Sequence, residues 1–200
     1  MLTVTYALVT LSVEQKKARG ILSVLQQRIQ RSLEELKTID RSSFESVLYQ
    51  LVQFDESCHW RNIERYVIPA VRRATTEADP LIAELESLSA KAETILRAIR
   101  GSSWLGFERG IEGVKELYSS MERYCHHLRQ RLAKEEDELF PIAQRVISGE
   151  EWFEIAAQFI SHDAETHSHK SSAPQSSHLP HPGAHYASPT RTEYLHQVPS

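Results

Sequence analysis

GVKELYSSMERYCHHLRQRLAKEEDELFPIAQRV, residues 113–146, is the stretch of sequence that decides the fold class of this chain. Its apolar residues recur at intervals of three, four or seven positions, which places them on one face of an α-helix. They are Val114, Leu117, Met121, Leu128 and Leu132. The pattern predicts a long amphipathic helix from about Gly110 to Val146, which Pro141 should kink or break.

Three other stretches show the same helical periodicity, from Leu11 to Leu36, from Phe44 to Val71 and from Leu81 to Ile99. Asp79-Pro80 favours the start of the third helix, and Gly101 is expected to stop it. A short last helix is expected from Glu150 to Phe159, and residues 2–9 could be extended. Four amphipathic helices with short connections predict an all-α protein, an up-down-up-down four-helix bundle with a short extra C-terminal helix.

The composition changes sharply near Ser161. The segment that follows holds five prolines, many serines and almost no aliphatic residues. Such a segment cannot bury enough apolar surface to offset its ordering entropy. The sequence therefore predicts a bundle over residues 1–161 and a disordered tail, rich in histidine, serine and proline, over residues 162–200.

Charge and cysteine content exclude several classes of function. The net charge of −4 leaves no basic excess to neutralise phosphates, so we expect no nucleic-acid partner. The first residues lack the features of a signal peptide, and their apolar run is too short to span a bilayer, so no membrane role is expected. Two cysteines cannot form a disulfide framework, and a cytoplasmic location is the simplest expectation.

Several local strings carry a family resemblance. They are DESCHWRNIE (55–64) followed by VIPAV (67–71), DPLIAELE (79–86), and LAKEEDELFPIA (132–143) followed by SGEEW (148–152). In this order and spacing the chain resembles the hemerythrin-like (HHE cation-binding) family over roughly residues 8–160. The resemblance implies a four-helix bundle that holds a non-heme di-iron centre, and a role in oxygen or nitric oxide sensing or in iron handling.

The ligand positions that the resemblance implies can be assigned one by one. On the first helix the family's Glu-His pair falls on Glu14-Gln15. On the second helix the carboxylate falls on Glu64 and the histidine position on Trp60.

On the third helix the histidine position is Ser89, and Glu93 is a candidate ligand one turn further on. On the fourth helix the histidine position is Arg131, and the carboxylate is Glu135 or Glu136. Every expected imidazole is thus replaced while the carboxylates Glu64, Glu93, Glu135 and Glu136 remain as metal-site remnants.

These replacements change what the site can hold. Carboxylates alone bind iron weakly, and the guanidinium of Arg131 stays charged and offers no lone pair. We hypothesise that Arg131 pairs with Glu64 and with Glu135 or Glu136, while the indole of Trp60 fills the volume left by the ions. In the alternative, Arg131 points to solvent and Glu64 pairs with Arg61.

Two other groups of residues invite a metal hypothesis. Cys58-His59 and Cys125-His126-His127 suggest zinc, but a count of about 100° per residue spreads them over different helix faces. The tail holds seven histidines, which could bind divalent metal weakly or belong to a solvated linker. They are His162, His167, His169, His178, His181, His185 and His196.

The sequence therefore favours a hemerythrin-like protein with a degenerate di-iron site and no bound cofactor, which serves as a non-catalytic binding or regulatory module with an unknown protein partner. The alternative is a metal-binding hemerythrin-like protein with a non-heme di-iron cofactor, for oxygen or nitric oxide sensing or iron handling. No catalytic residue is predicted.

Overall fold

The computed structural model describes residues 2–35, 41–59 and 61–171, and within these ranges the regular structure is entirely helical. The helices are α1 (Leu2–Glu34), α2 (Arg41–His59), α3 (Ile68–Ala74), α4 (Asp79–Glu108), α5 (Gly110–Lys134), α6 (Phe140–Val146) and α7 (Gly149–Ser171). Two π-helical turns, Ile63–Val67 and Glu135–Leu139, lead directly into α3 and α6. The all-α prediction is confirmed for the described residues.

The longest helices pack side by side around the core. α4 and α5 make the most extensive contact, α1 packs on both α5 and α7, and α2 contacts α1 and α4. The turn between α4 and α5 is tight because Gly110 adopts a positive φ of 68°, which a residue with a side chain rarely does. Just beyond it the backbones nearly touch, and a Cβ on Gly113 would overlap the carbonyl oxygen of Gly106.

The buried apolar residues form two separate clusters. The first cluster joins the N-terminal part of α1 to α3, α6, α7 and the start of α4, and includes Leu11, Ile82 and Trp152. The second cluster fills the space between α1, α2, α4 and α5 and includes Leu22 and Tyr118. Each helix that runs through both clusters must therefore cross a boundary between them.

Several sequence expectations differ from the structure in extent. α1 begins at Leu2, so residues 2–9 are helical rather than extended. α4 continues through Gly101 to Glu108, because packing of its apolar face outweighs the weak helix propensity of one glycine. α7 is longer than the predicted Glu150–Phe159 helix and runs to Ser171, past the predicted domain boundary at residue 161.

Residues 172–200, most of the predicted tail, lie outside the described residues. Among the helices that are described, none combines the length and the apolar character that crossing a bilayer requires.

Candidate functional site

A layer of polar side chains lies between the two apolar clusters. In α1, Gln15 separates Leu11 of the first cluster from Ala18 of the second. Ser89 of α4 and Glu135 after α5 occupy the same boundary on their own segments. We call the set formed by Gln15, Arg61, Glu64, Ser89, Arg131 and Glu135 the polar layer.

Glu135 is the centre of the polar layer and is fully buried, with 0% of its surface exposed. Its Oε2 accepts hydrogen bonds from Arg61 Nη2 at 2.6 Å and from Gln15 Nε2 at 2.6 Å. Its Oε1 accepts one from Arg61 Nη1 at 3.2 Å and lies 3.0 Å from Arg131 Nε. The forked pair with Arg61 uses both carboxylate oxygens, which is the strongest geometry available to a guanidinium.

Arg131 joins the remaining members of the layer. Its Nη2 forms an ion pair with Glu64 Oε1, and its Nη1 donates a hydrogen bond to the hydroxyl of Ser89. Only 7% of the surface of Arg131 is exposed, so its side chain does not point to solvent. The layer thus balances two guanidinium groups against two carboxylates, which removes most of the cost of burying them.

The two arginines differ in their electrostatic environment. Burial lowers the pKa of Arg131, and the attraction of Glu135 offsets this only in part because Arg61 is also close. For Arg61, burial also acts to lower the pKa, but the double contact with Glu135 outweighs it and the pKa is raised. The geometry agrees with this difference, since Glu135 accepts two hydrogen bonds from Arg61 and makes a single ion-pair contact with Arg131.

Each carboxylate of the layer lies in a π-helical turn that is followed by a proline. The turns are closed by bonds over five residues, from the Ile68 N–H to Ile63 and from the Phe140 N–H to Glu135. Pro69 and Pro141 follow at once. A proline ring clashes with the carbonyl four residues before it, and one extra residue in the preceding turn makes room. Pro141 therefore widens the helix instead of breaking it.

Glu14 borders the layer on α1. Both of its carboxylate oxygens accept from the backbone N–H of Asn62, at 3.0 and 3.2 Å. This N–H lies at the start of the helical segment that leads through the π-helical turn into α3, where the first N–H groups have no intrahelical partner. Glu14 thereby holds the segment that carries Arg61 against α1.

Glu93 and Glu136, which the resemblance also places among the ligands, lie outside the polar layer. Glu93 lies one turn further along α4, where it is 3.6 Å from His59 Nε2 and partly exposed. Glu136 points outward and pairs with Arg19 at 2.5 Å, so Glu135 is the buried carboxylate of this segment. Trp60, predicted to fill the cavity, lies outside the described residues.

The residues of the zinc hypothesis also stay apart. Cys125 is buried in the second cluster, and His126 is exposed on the same helix. In the described part of the chain, no three His, Cys, Asp or Glu side chains lie close enough together to hold a metal ion. The side chains of the tail histidines lie outside the described residues, so weak metal binding by the tail stays a prediction.

The donor set of the polar layer does not fit a di-iron centre. Gln15, Ser89 and Arg131 stand where the resemblance implies imidazoles, and the oxygens of Glu135 already accept from Arg61 and Gln15. A divalent ion at this position would face two guanidinium charges in a medium of low dielectric constant, where repulsion is strong.

An open groove of about 760 Å³ adjoins the layer between α1 and α2; we call it the α1 groove. Ala18, Val24, Leu25 and Phe54 contribute to its largely apolar wall, and Cys58 lies at its end beside Arg61. Burial raises the pKa of the Cys58 thiol to about 11, although Arg61 and Arg131 act in the opposite direction. The thiol is thus protonated at neutral pH and is a poor nucleophile.

No family model, curated protein or solved structure matches this chain significantly.

The ligand positions assigned from the sequence do not include Arg61, which enters only as an alternative partner of Glu64. Glu14 is assigned as half of the Glu-His pair, and its bond to the Asn62 N–H is not anticipated. Arg61 follows the end of α2 and does not belong to a regular helix, so counting residues per turn cannot orient it.

Proposed function

We propose that this chain is a hemerythrin-like, up-down-up-down four-helix bundle in which ion pairs replace the metal centre, and that it serves as a non-catalytic binding or regulatory module. In this proposal α1, α2, α4 and α5 are the four helices, and α7 is the extra C-terminal helix. The observation that carries the proposal is the position of Arg131, whose guanidinium contacts Glu64, Glu135 and Ser89.

The charges of the polar layer support a structural role for it. Each guanidinium has a carboxylate partner, and Glu135 has no exposed surface that a substrate could reach. General acid–base catalysis requires a group within hydrogen-bonding reach of the substrate. We therefore propose that the protein is not an enzyme, and that its function uses its surface.

The proposed partner is a protein, because the net charge of −4 offers no attraction to nucleic acid. The proposed location is the cytoplasm, and both cysteines are free thiols, as a reducing compartment would maintain them.

Iron loading tests the proposal. The full chain is purified without an added tag from iron-supplemented cells and washed with chelator to remove iron held loosely by tail histidines. Elemental analysis and near-ultraviolet spectra are then recorded. We expect no chelator-resistant iron and no oxo-bridged iron bands. About two irons per chain with those bands would overturn the proposal and favour oxygen or nitric oxide sensing, or iron handling.

A restored variant tests the family part separately. Gln15→His, Trp60→His, Ser89→His and Arg131→His return an imidazole to every expected position, and Arg61→Ala releases the carboxylate oxygens of Glu135 that Arg61 otherwise holds. If the bundle is hemerythrin-like, this variant gains chelator-resistant iron and the oxo-bridged bands. A folded variant without iron would contradict the hemerythrin-like assignment while leaving the metal-free polar layer of the natural chain untouched.

A further inference from the structure

The α1 groove has the volume of a small-molecule site. Its volume of about 760 Å³ falls within the range of about 300–1,000 Å³ that ligand pockets occupy. Its wall includes the buried apolar side chains of Ala18 and Leu25 on α1 and Phe54 on α2. Ligand sites of this kind are mostly apolar, and a few polar groups orient the ligand. The polar groups of the groove therefore indicate what it can hold.

The charged residues of the groove lie at one end. Among the described residues that line it, the charged ones are Glu14 and Lys17 on α1 and Arg61 after α2. The opposite end is formed by uncharged side chains, which include Leu25 and Tyr49. A ligand with one polar end and a long apolar body matches this arrangement.

Two hydrogen-bond donors at the charged end have no acceptor. Lys17 is exposed and, among the described residues, has no ion-pair partner. Arg61 is only 6% exposed, and while its Nη groups bind Glu135, its buried Nε has no hydrogen-bond partner. Glu14 supplies neither of them, since its oxygens accept from the backbone N–H of Asn62. A buried donor without an acceptor is costly, so a ligand oxygen at this end would be stabilised.

We infer that the α1 groove binds a free fatty acid, with its carboxylate at the end formed by Lys17 and Arg61 and its alkyl chain along the apolar wall. The carboxylate accepts from both donors, and hydrogen bonds between charged groups are the stronger kind. The alkyl chain covers the apolar wall and loses its own contact with water. This ligand would be additional to the proposed protein partner.

The length of the groove limits the length of the alkyl chain. The helices α1 and α2 run antiparallel beside it, since Glu14 contacts Asn62 near one end and Arg28 contacts Gln50 near the other. The lining residues of α1 extend from Glu14 to Leu25, which is roughly 16 Å at about 1.5 Å per residue. Carbon–carbon bonds of about 1.5 Å that meet at about 111° advance about 1.25 Å each, so about 13 carbon atoms cover this length.

Isothermal titration calorimetry of the full chain tests the inference. The probes are the saturated fatty acids from octanoate to hexadecanoate, each kept below its micelle concentration. We expect the affinity to rise about fourfold for each added methylene, because each one buries apolar surface. The rise should level off near tetradecanoate, where further carbons extend beyond the groove. Absence of binding, or an even rise as far as hexadecanoate, would overturn the inference.

A pair of lysine substitutions tests the position of the carboxylate. Lys17→Gln should weaken the binding of dodecanoate about fivefold, as expected for the loss of an exposed ion pair, and should leave dodecanol binding unchanged. Lys16→Gln changes the adjacent exposed lysine, which does not line the groove, and should affect neither ligand. Equal effects of the two substitutions on dodecanoate, or tighter binding of dodecyltrimethylammonium than of dodecanoate, would refute the assignment of a fatty acid.

A pair of glycine substitutions tests the location of the ligand. Gly20 lines the groove, and a Cβ placed on it would meet nothing within 4 Å, so the indole of Gly20→Trp can enter the groove. This variant should lose the binding of tetradecanoate. Gly101→Trp adds the same bulk on α4, where there is also open space, and should retain it. Circular dichroism checks that both variants remain helical. Equal binding by the two helical variants would show that the fatty acid binds elsewhere and would overturn the inference.

Discussion

Removal of the charge at Glu135 is the sharpest test of the polar layer. Glu135→Gln keeps the shape of the side chain and one acceptor oxygen, but leaves Arg61 without a countercharge in a fully buried position. Breaking a buried ion pair by neutralising one partner costs about 3–5 kcal/mol. Since Gln15 retains an acceptor and Glu64 still faces Arg131, we expect a loss at the lower end, about 3 kcal/mol.

The neighbouring Glu136→Gln is the matched control. Glu136 pairs with Arg19, but both side chains are about half exposed, and such pairs contribute about 0–1 kcal/mol. Urea unfolding followed by circular dichroism gives both free energies, and a loss of about 3 kcal/mol moves the midpoint by roughly 1–2 M. Equal losses for the two variants would refute the buried ion pairs.

A double-mutant cycle isolates the interaction between the two residues. Arg61→Gln alone should cost as much as Glu135→Gln, because it strips Glu135 of two hydrogen bonds. In the Glu135→Gln background the same change should cost much less. Additive losses would mean that the two side chains do not interact in solution.

Three further measurements follow from other parts of the chain. Burial raises the pKa of Cys58 to about 11 and of Cys125 to about 12. Alkylation of the thiols by iodoacetamide at pH 7.5 should therefore be about two orders of magnitude slower in the folded chain than in the urea-unfolded chain. Equal rates would contradict the burial of the two thiols. Burial also raises the pKa of Asp55, so its ionisation weakens the fold as the pH rises from the ordinary aspartate pKa of about 3.9 through the raised value. Asp55→Asn should therefore raise the urea midpoint at pH 7.5 and change it little near pH 4, and the reverse order would refute this. Finally, Gly113→Ala should lower the unfolding free energy by about 1–3 kcal/mol, because its methyl group meets the α4 backbone. Gly101→Ala adds a methyl group in open space and should raise the unfolding free energy by about 0.5–1 kcal/mol.

The helices were readable from the sequence because their apolar residues recur with helical period over many turns. Leu22, Leu51, Leu96 and Leu128 each face the core as this period requires. The ends of the helices are harder to predict from the sequence. Gly101 lies inside α4 because the packing of the apolar residues before and after it outweighs the weak helix propensity of one glycine.

The candidate site was predictable where helical geometry applies. Arg131 and Glu135 are one turn apart on a continuous segment, and the structure places them together with Glu64, Ser89 and Gln15. Arg61 was not predictable in this way, because it follows the end of α2 and precedes a π-helical turn. Its role depends on a long-range contact with Glu135, for which a single sequence holds no signal.

The polar layer also determines how the helices can be placed lengthwise. A slide of α5 by one turn, about 5.4 Å, would carry Glu135 away from Arg61 and into apolar surroundings, where an unpaired charge is very costly. An entirely apolar bundle has no such penalty, since one leucine layer can replace another. The buried charges therefore fix the register of the helices. They add little net stability, but they make every shifted alignment of the helices much less stable than the native one.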